Sequence, residues 1–245
     1  AAVAVQVMLT FVEPESSGIG GGAFMLVWDP KTKTLTAFNG REKAPASARP
    51  DMFLDANGQP LSYLQALQGG RSVGVPGEVA MLAMAHRKFG KLAWNRLFAA
   101  AARSADAGVP VTAKLADELA AFPQMEKMPA IRAMFYKADG VPLAHGDILK
   151  NPALAKTLRQ IAAGGPDAFY HGQIAQQIVD AVQHAPVNAA GMTLADIASY
   201  KAEETSAICG HYRGYRVCAP PPPSSGGVTL LQMLGILERF RSAQL

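Results

Sequence analysis

The chain has 245 residues, of which 49% are hydrophobic and 17% charged, so it can bury a sizeable core and is not a disordered tail. Its 23 glycines and 17 prolines lack a collagen period, and two cysteines are too few for a disulfide-rich scaffold. The net charge of +4 comes from scattered basic residues that never form a run interleaved with aromatics, which argues against a nucleic-acid partner.

Ala1 to Val12 is a run of small apolar residues and strong helix formers ending at Glu13-Pro14, which predicts a buried helix. At about twelve residues it is too short for a membrane span, which needs roughly twenty, and no basic segment precedes it as in an intact signal peptide. The glycine-rich stretch Ser16 to Gly22 reads as a loop. Ala23 to Trp28 has strand length, Asp29-Pro30-Lys31 is a turn, and Thr34 to Phe38 answers as the second strand of a hairpin. Asn39-Gly40-Arg41-Glu42 falls at that strand's end, where functional loops commonly sit.

The middle of the chain reads as helical. Helices are expected over Pro76 to Phe89, Trp94 to Ala107, Val111 to Phe122, Pro152 to Ala163 and Gln173 to Val182, with a short one after a Thr193 cap. Strands return between Glu204 and Cys218. Pro220 to Gly227 then reads as a rigid loop feeding a helix from Val228 to Phe240. In Cys209 to Cys218 a two-residue turn at Arg213-Gly214 places the two cysteines opposite one another. A cross-strand disulfide and two reduced core cysteines are both compatible with that placement.

Several motifs match in letters and fail in context. Gly18 to Ala23 satisfies G-x-G-x-x-G/A, but a dinucleotide site needs a strand before and a helix after, and the expected order is reversed. Gly70-Arg-Ser-Val-Gly74 has the letters of a nucleophile elbow without its strand and helix, and Ser225 is no better placed. The five histidines show no metal-binding spacing, so no metal or cofactor is expected. Arg41 is the residue of interest, because a permanently charged guanidinium can hold a carboxylate in a bidentate fork. Taken alone, its ordinary use would be a salt bridge to a neighbour such as Glu42 or Asp51.

Five segments in order, Glu13-Pro-Glu-Ser-Ser-Gly-Ile-Gly-Gly-Gly22, Asn39-Gly-Arg-Glu-Lys-Ala-Pro45, Ser72-Val-Gly-Val-Pro-Gly77, Asp167-Ala-Phe-Tyr170 and Pro221-Pro-Pro-Ser-Ser-Gly-Gly227, resemble the large subunit of the γ-glutamyltranspeptidase family. The resemblance implies an α/β (α+β) fold, the large-subunit part of the four-layer αββα sandwich of N-terminal nucleophile hydrolases, with residues 1–245 as one incomplete domain completed by a small subunit. It implies a precursor that cleaves itself, and an exposed threonine on the small subunit that attacks the γ-carbonyl of glutathione or another γ-glutamyl compound. Water or an acceptor amine then resolves the ester. The family's carboxylate-binding arginine corresponds to Arg41, and no catalytic residue is expected in this chain. Periplasmic or secreted placement also follows from the resemblance, as does a large subunit continuing beyond Leu245. A β-lactam acylase of the same superfamily and a non-catalytic homologue are the alternatives.

Overall fold

The computed structural model describes residues 1–240. Helix α1 (Ala2–Val12) carries no charged side chain and buries Val3, Val7 and Phe11, one residue per turn along a single stripe. It is followed by the glycine loop and the hairpin of β1 (Ala23–Asp29) and β2 (Thr34–Gly40), paired from Ala23 opposite Gly40 to Asp29 opposite Thr34. The Asp29 carboxylate accepts from the Lys31 amide at 2.9 Å and closes the turn.

The helical middle begins with α2 (Tyr63–Leu67), then α3 (Glu78–Phe89) and α4 (Ala99–Ala107). The short strands β3 (Val109–Pro110) and β4 (Ile148–Leu149) pair around α5 (Ala113–Ala121) and α6 (Pro129–Phe135). Next come α7 (Pro152–Gly164), α8 (Asp167–Tyr170), α9 (Gln173–Gln183) and α10 (Leu194–Ser199). Asn151 caps α7 by accepting from the Leu154 amide at 2.9 Å, with Pro152 preset for the first turn. Gly108 and Gly165 end α4 and α7 with φ of 94° and 67°.

Strand β5 (Glu203–Ser206) returns to the hairpin and pairs antiparallel with β2, making a three-stranded sheet of order β1-β2-β5. A separate hairpin of β6 (Ile208–Tyr212) and β7 (Tyr215–Ala219) leads to α11 (Ser225–Leu237). Its turn residues Arg213 and Gly214 have φ of 48° and 83°, the primed geometry that matches strand twist. Cys209 lies opposite Cys218 with Cα atoms 4.1 Å apart, and the two are joined by a disulfide.

The main core gathers Val7 of α1, Phe38 of β2, Leu82 of α3, Phe98, Leu158 and Ile161 of α7, and Ile197 of α10. Each fully buried Leu, Ile or Phe contributes roughly 1.5–3 kcal/mol, so this cluster is the main reason that β2 and α3 keep a fixed relation. A second cluster joins Phe11, Leu115, Leu119 and Leu149.

Three expectations need correction. The helix expected from Pro76 starts at Glu78, because Pro76-Gly77 stays outside it. The helix expected from Trp94 is a 3-10 turn over Trp94–Leu97 and then α4. The last helix begins at Ser225 rather than Val228, taking in Gly226 and Gly227. The strands expected from Glu204 to Cys218 are present, three in number between 203 and 219, and the first pairs with β2. None of the described helices is long and apolar enough to cross a membrane.

Candidate active site

Three backbone segments meet where β2 ends, and they meet nearly bare. The Gly77 and Glu78 amides both donate to the Gly21 carbonyl, at 2.9 and 3.1 Å, which ties the start of α3 to the glycine loop. A Cβ added at Gly77 would lie 2.1 Å from Tyr200 Oη and 2.3 Å from the Gly40 carbonyl oxygen. One added at Gly22 would lie 2.5 Å from the Gly40 carbonyl oxygen and 2.6 Å from Glu42 Oε2. The absence of side chains at these two positions lets the loop, the strand end and the helix start touch.

Arg41 is the first residue beyond this contact, and its backbone is held on both sides. Its amide donates to Asn39 Oδ1 at 2.9 Å, and its carbonyl accepts from the Tyr200 hydroxyl at 2.7 Å. Tyr200 stacks on Tyr170 with ring centroids 5.9 Å apart and planes 11° apart. The Tyr170 hydroxyl donates to the Pro76 carbonyl at 3.0 Å and accepts from the Ala80 amide at 3.1 Å. Burial pushes the phenol of Tyr170 up, and that of Tyr200 up to about 12, so both rings stay neutral. Lys43 reaches over the Tyr200 ring at 5.4 Å and pairs with Glu203 at 3.1 Å. Its hydrogen bond holds the Glu203 carboxyl below the usual range, and Glu203 in turn accepts from Asn39 at 3.3 Å.

The Arg41 side chain itself is 59% exposed. Its Nε lies 3.5 Å from Glu42 Oε2, and the guanidinium makes no hydrogen bond among the described residues. Of the two neighbours considered from sequence, Glu42 is adjacent, whereas Asp51 is taken by Arg49 at 2.7 Å. The Arg41 fork therefore retains donors for an incoming carboxylate, and Glu42 biases it from the Nε side.

Beneath this frame lies Glu78, a carboxylate residue at 1% exposure. Gln6 of α1 donates to its Oε2 at 3.0 Å and also to Ser17 Oγ at 2.5 Å, while Oε1 has no partner. Burial pushes its carboxyl up to about 7, against the Gln6 hydrogen bond, and the nearby Glu42 charge adds to the rise.

The other candidates take structural places. Ser72 lies in a 3-10 turn with its hydroxyl donating to the Leu67 and Gly69 carbonyls at 2.7 and 3.1 Å, so it is no nucleophile elbow. Ser225 opens α11. Among the described residues no group of histidine, cysteine, aspartate or glutamate could hold a metal ion. Reasoning from the sequence named Glu42 only as a neighbour of Arg41, and missed Glu78 and Tyr200. An acid in the first turn of a helix reads as an ordinary dipole partner, and nothing local announces that this one is buried.

The whole chain, residues 1–245, matches the family described as gamma-glutamyltranspeptidase. The chain belongs to that family. It is 41% identical over 244 residues to the glutathione hydrolase proenzyme of Bacillus subtilis, a match that covers 100% of this chain and 41% of that protein. It is 43% identical over 243 residues to the glutathione hydrolase proenzyme of Escherichia coli, covering 98% of this chain and 41% of that protein. The crystal structure of Helicobacter pylori gamma-glutamyltranspeptidase superposes with a TM-score of 0.93 at 32% identity, covering 100% of this chain and 69% of that one. The chain thus spans 41% of the length of these two curated relatives. Its fold is the α+β large-subunit part of the γ-glutamyltranspeptidase sandwich, as the motifs imply.

Proposed function

We propose that this chain is the large-subunit part of an enzyme that transfers the γ-glutamyl group of glutathione and related compounds to water or to an acceptor amine. In this reading residues 1–245 act as one unit, completed by a small subunit from the same precursor. The small subunit supplies an N-terminal threonine whose hydroxyl attacks the γ-carbonyl, its own α-amine taking the proton, so that a γ-glutamyl ester forms and is then resolved. This chain's part is to bind and orient. The names of the relatives support the activity, and export to the periplasm or the medium belongs to the same reading, with the Cys209–Cys218 bond in keeping with an oxidising compartment.

The observation that carries the assignment is the Arg41 frame: a backbone fixed at both its amide and its carbonyl, bearing an exposed guanidinium with donors to spare. Such a group fits the α-carboxylate of a glutamyl substrate. A charge-assisted hydrogen-bonded pair contributes about 1.5–3 kcal/mol, so Arg41→Ala in the assembled enzyme is expected to raise KM roughly ten- to a hundredfold. Arg41→Lys should also bind poorly, since an ammonium cannot reproduce the fork. An unchanged KM in Arg41→Ala would remove the assignment. Intact-mass measurement and N-terminal sequencing of protein expressed from the complete gene should find a companion chain beginning with threonine.

A further inference from the structure

Glu78 has no place in the chemistry above, yet it is tied to the glycine loop against which Glu42, the neighbour of Arg41, is seated. Its amide is on the Gly21 carbonyl, its Oε2 is on Gln6, and Gln6 also holds Ser17 at the start of the glycine loop. That loop in turn seats Glu42, whose carboxylate rests against the bare Cα positions of Gly21 and Gly22 and approaches Arg41 Nε. We propose that Glu78 is a positioning residue for the Arg41 grip: while uncharged it lets the Glu42 carboxylate settle against the glycine loop beside Arg41, and on ionising it drives Glu42 outward and loosens the grip. The inference rests on the assignment of Arg41 to the substrate carboxylate.

The surroundings favour such a response. Oε1 is buried without a donor, so the ionised form has one oxygen that nothing in this chain stabilises. Around Glu78, α1 contributes no titratable group, only Gln6. The segment after α1 contributes Glu13 and Glu15, both paired to Lys114 at 3.0 and 3.3 Å. The end of β2 contributes Arg41 and Glu42, and α8 contributes Tyr170, whose buried phenol remains neutral. Glu42 is thus the charge that an ionised Glu78 meets, and no lysine, arginine or histidine pairs with Glu78 among the described residues. The group titrates near neutrality, where a γ-glutamyl ligand keeps its own carboxylate and ammonium charges.

The test uses the assembled enzyme from the complete gene, with L-glutamate as a competitive ligand against a γ-glutamyl anilide. Its inhibition constant is measured between about pH 6 and about pH 8, so that the probe's charges stay constant. The wild type is expected to bind L-glutamate roughly threefold or more weakly at the upper end, and Glu78→Gln to hold the constant flat. The same alkaline weakening in Glu78→Gln would overturn the proposal. Should that variant not fold, Gln6→Met removes the hydrogen bond to Oε2 and is expected to move the midpoint to higher pH, and an unmoved midpoint would also overturn it. Arg41→Lys separates the two ideas. Unaltered L-glutamate binding there would defeat the Arg41 assignment and the proposal with it, whereas weakened binding together with an unchanged pH limb in Glu78→Gln would defeat the proposal alone.

Discussion

The junction below Arg41 and the hairpin-helix unit of β6, β7 and α11 are both built on glycine and on a cross-strand tie, but they use them differently. At the junction, the loop, β2 and α3 approach through Gly22 and Gly77, and Arg41 is fixed by hydrogen bonds at its amide and carbonyl. In the later unit a single covalent bond joins β6 to β7, and Gly227 is the only buried residue of α11. Val228, Leu230, Met233 and Ile236 of that helix are exposed in this chain. The first region is determined by many mutually dependent contacts, so that moving one displaces the rest. The second has its strand register set locally by the Arg213-Gly214 turn and locked by one covalent bond, and it leaves an apolar helix surface uncovered by the described residues.

The largest effect that would sharpen this contrast comes from Glu78. Its folded-state pKa is raised to about 7 from the ordinary 4.5, so its contribution to stability is fully present below about pH 4.5 and is lost as pH rises through 7. A shift of this size corresponds to a loss on the order of 3 kcal/mol. Thermal unfolding across that range should show the loss in the wild type and a much flatter profile in Glu78→Gln, and a flat wild-type profile would mean that the junction tolerates the charge. Gly77→Ala comes next, because the added methyl meets Tyr200 Oη and the Gly40 carbonyl rather than a flexible chain end. It should cost about 2–3 kcal/mol and raise KM as Arg41 is displaced, readable by denaturant unfolding together with steady-state kinetics.

Replacing both Cys209 and Cys218 by serine should cost roughly 2 kcal/mol, the expected size for so short a closed loop, and leave KM unaltered. A changed KM in that variant would break the comparison by showing that the two regions communicate. The smallest effect is Tyr200→Phe, which removes one hydrogen bond to the Arg41 carbonyl while keeping the stack on Tyr170. About 1 kcal/mol of stability and a severalfold rise in KM are expected, to be measured by the same two assays.

Much of the local architecture could be read from the sequence because local chemistry decides it. The apolar run after the glycine loop has strand length and a turn behind it, and it forms β1, while Arg213-Gly214 placed Cys209 opposite Cys218 by counting outward from the turn. Elements decided by distant contacts were not legible. Gly226 and Gly227 read as loop, yet they lie inside α11, where a Cβ on Gly227 would come within 2.5 Å of the Pro220 carbonyl oxygen. Helices α2 and α6 passed unnoticed because they are short and bury no residue, which leaves no periodic stripe to detect. Arg41 was singled out through its motif, which also holds Asn39, the partner of its amide, but the partner of its carbonyl lies at Tyr200, and the burial of Glu78 depends on Gln6 and Ser17, some sixty to seventy positions earlier.

The pairing of β2 with β5, and the reach of Tyr200 to Arg41, also set an order of events during synthesis. Residues 34–41 emerge early, whereas residues 200–206 emerge only after the entire helical middle. Until then one edge of β2 stays unpaired and the Arg41 carbonyl lacks its donor. A ribosome-bound chain that has not yet reached residue 206 therefore holds Arg41 just beyond a strand whose second partner is missing. Fixing of the Arg41 backbone should appear late and abruptly as the chain lengthens, in keeping with the slow closure of long-range strand pairs.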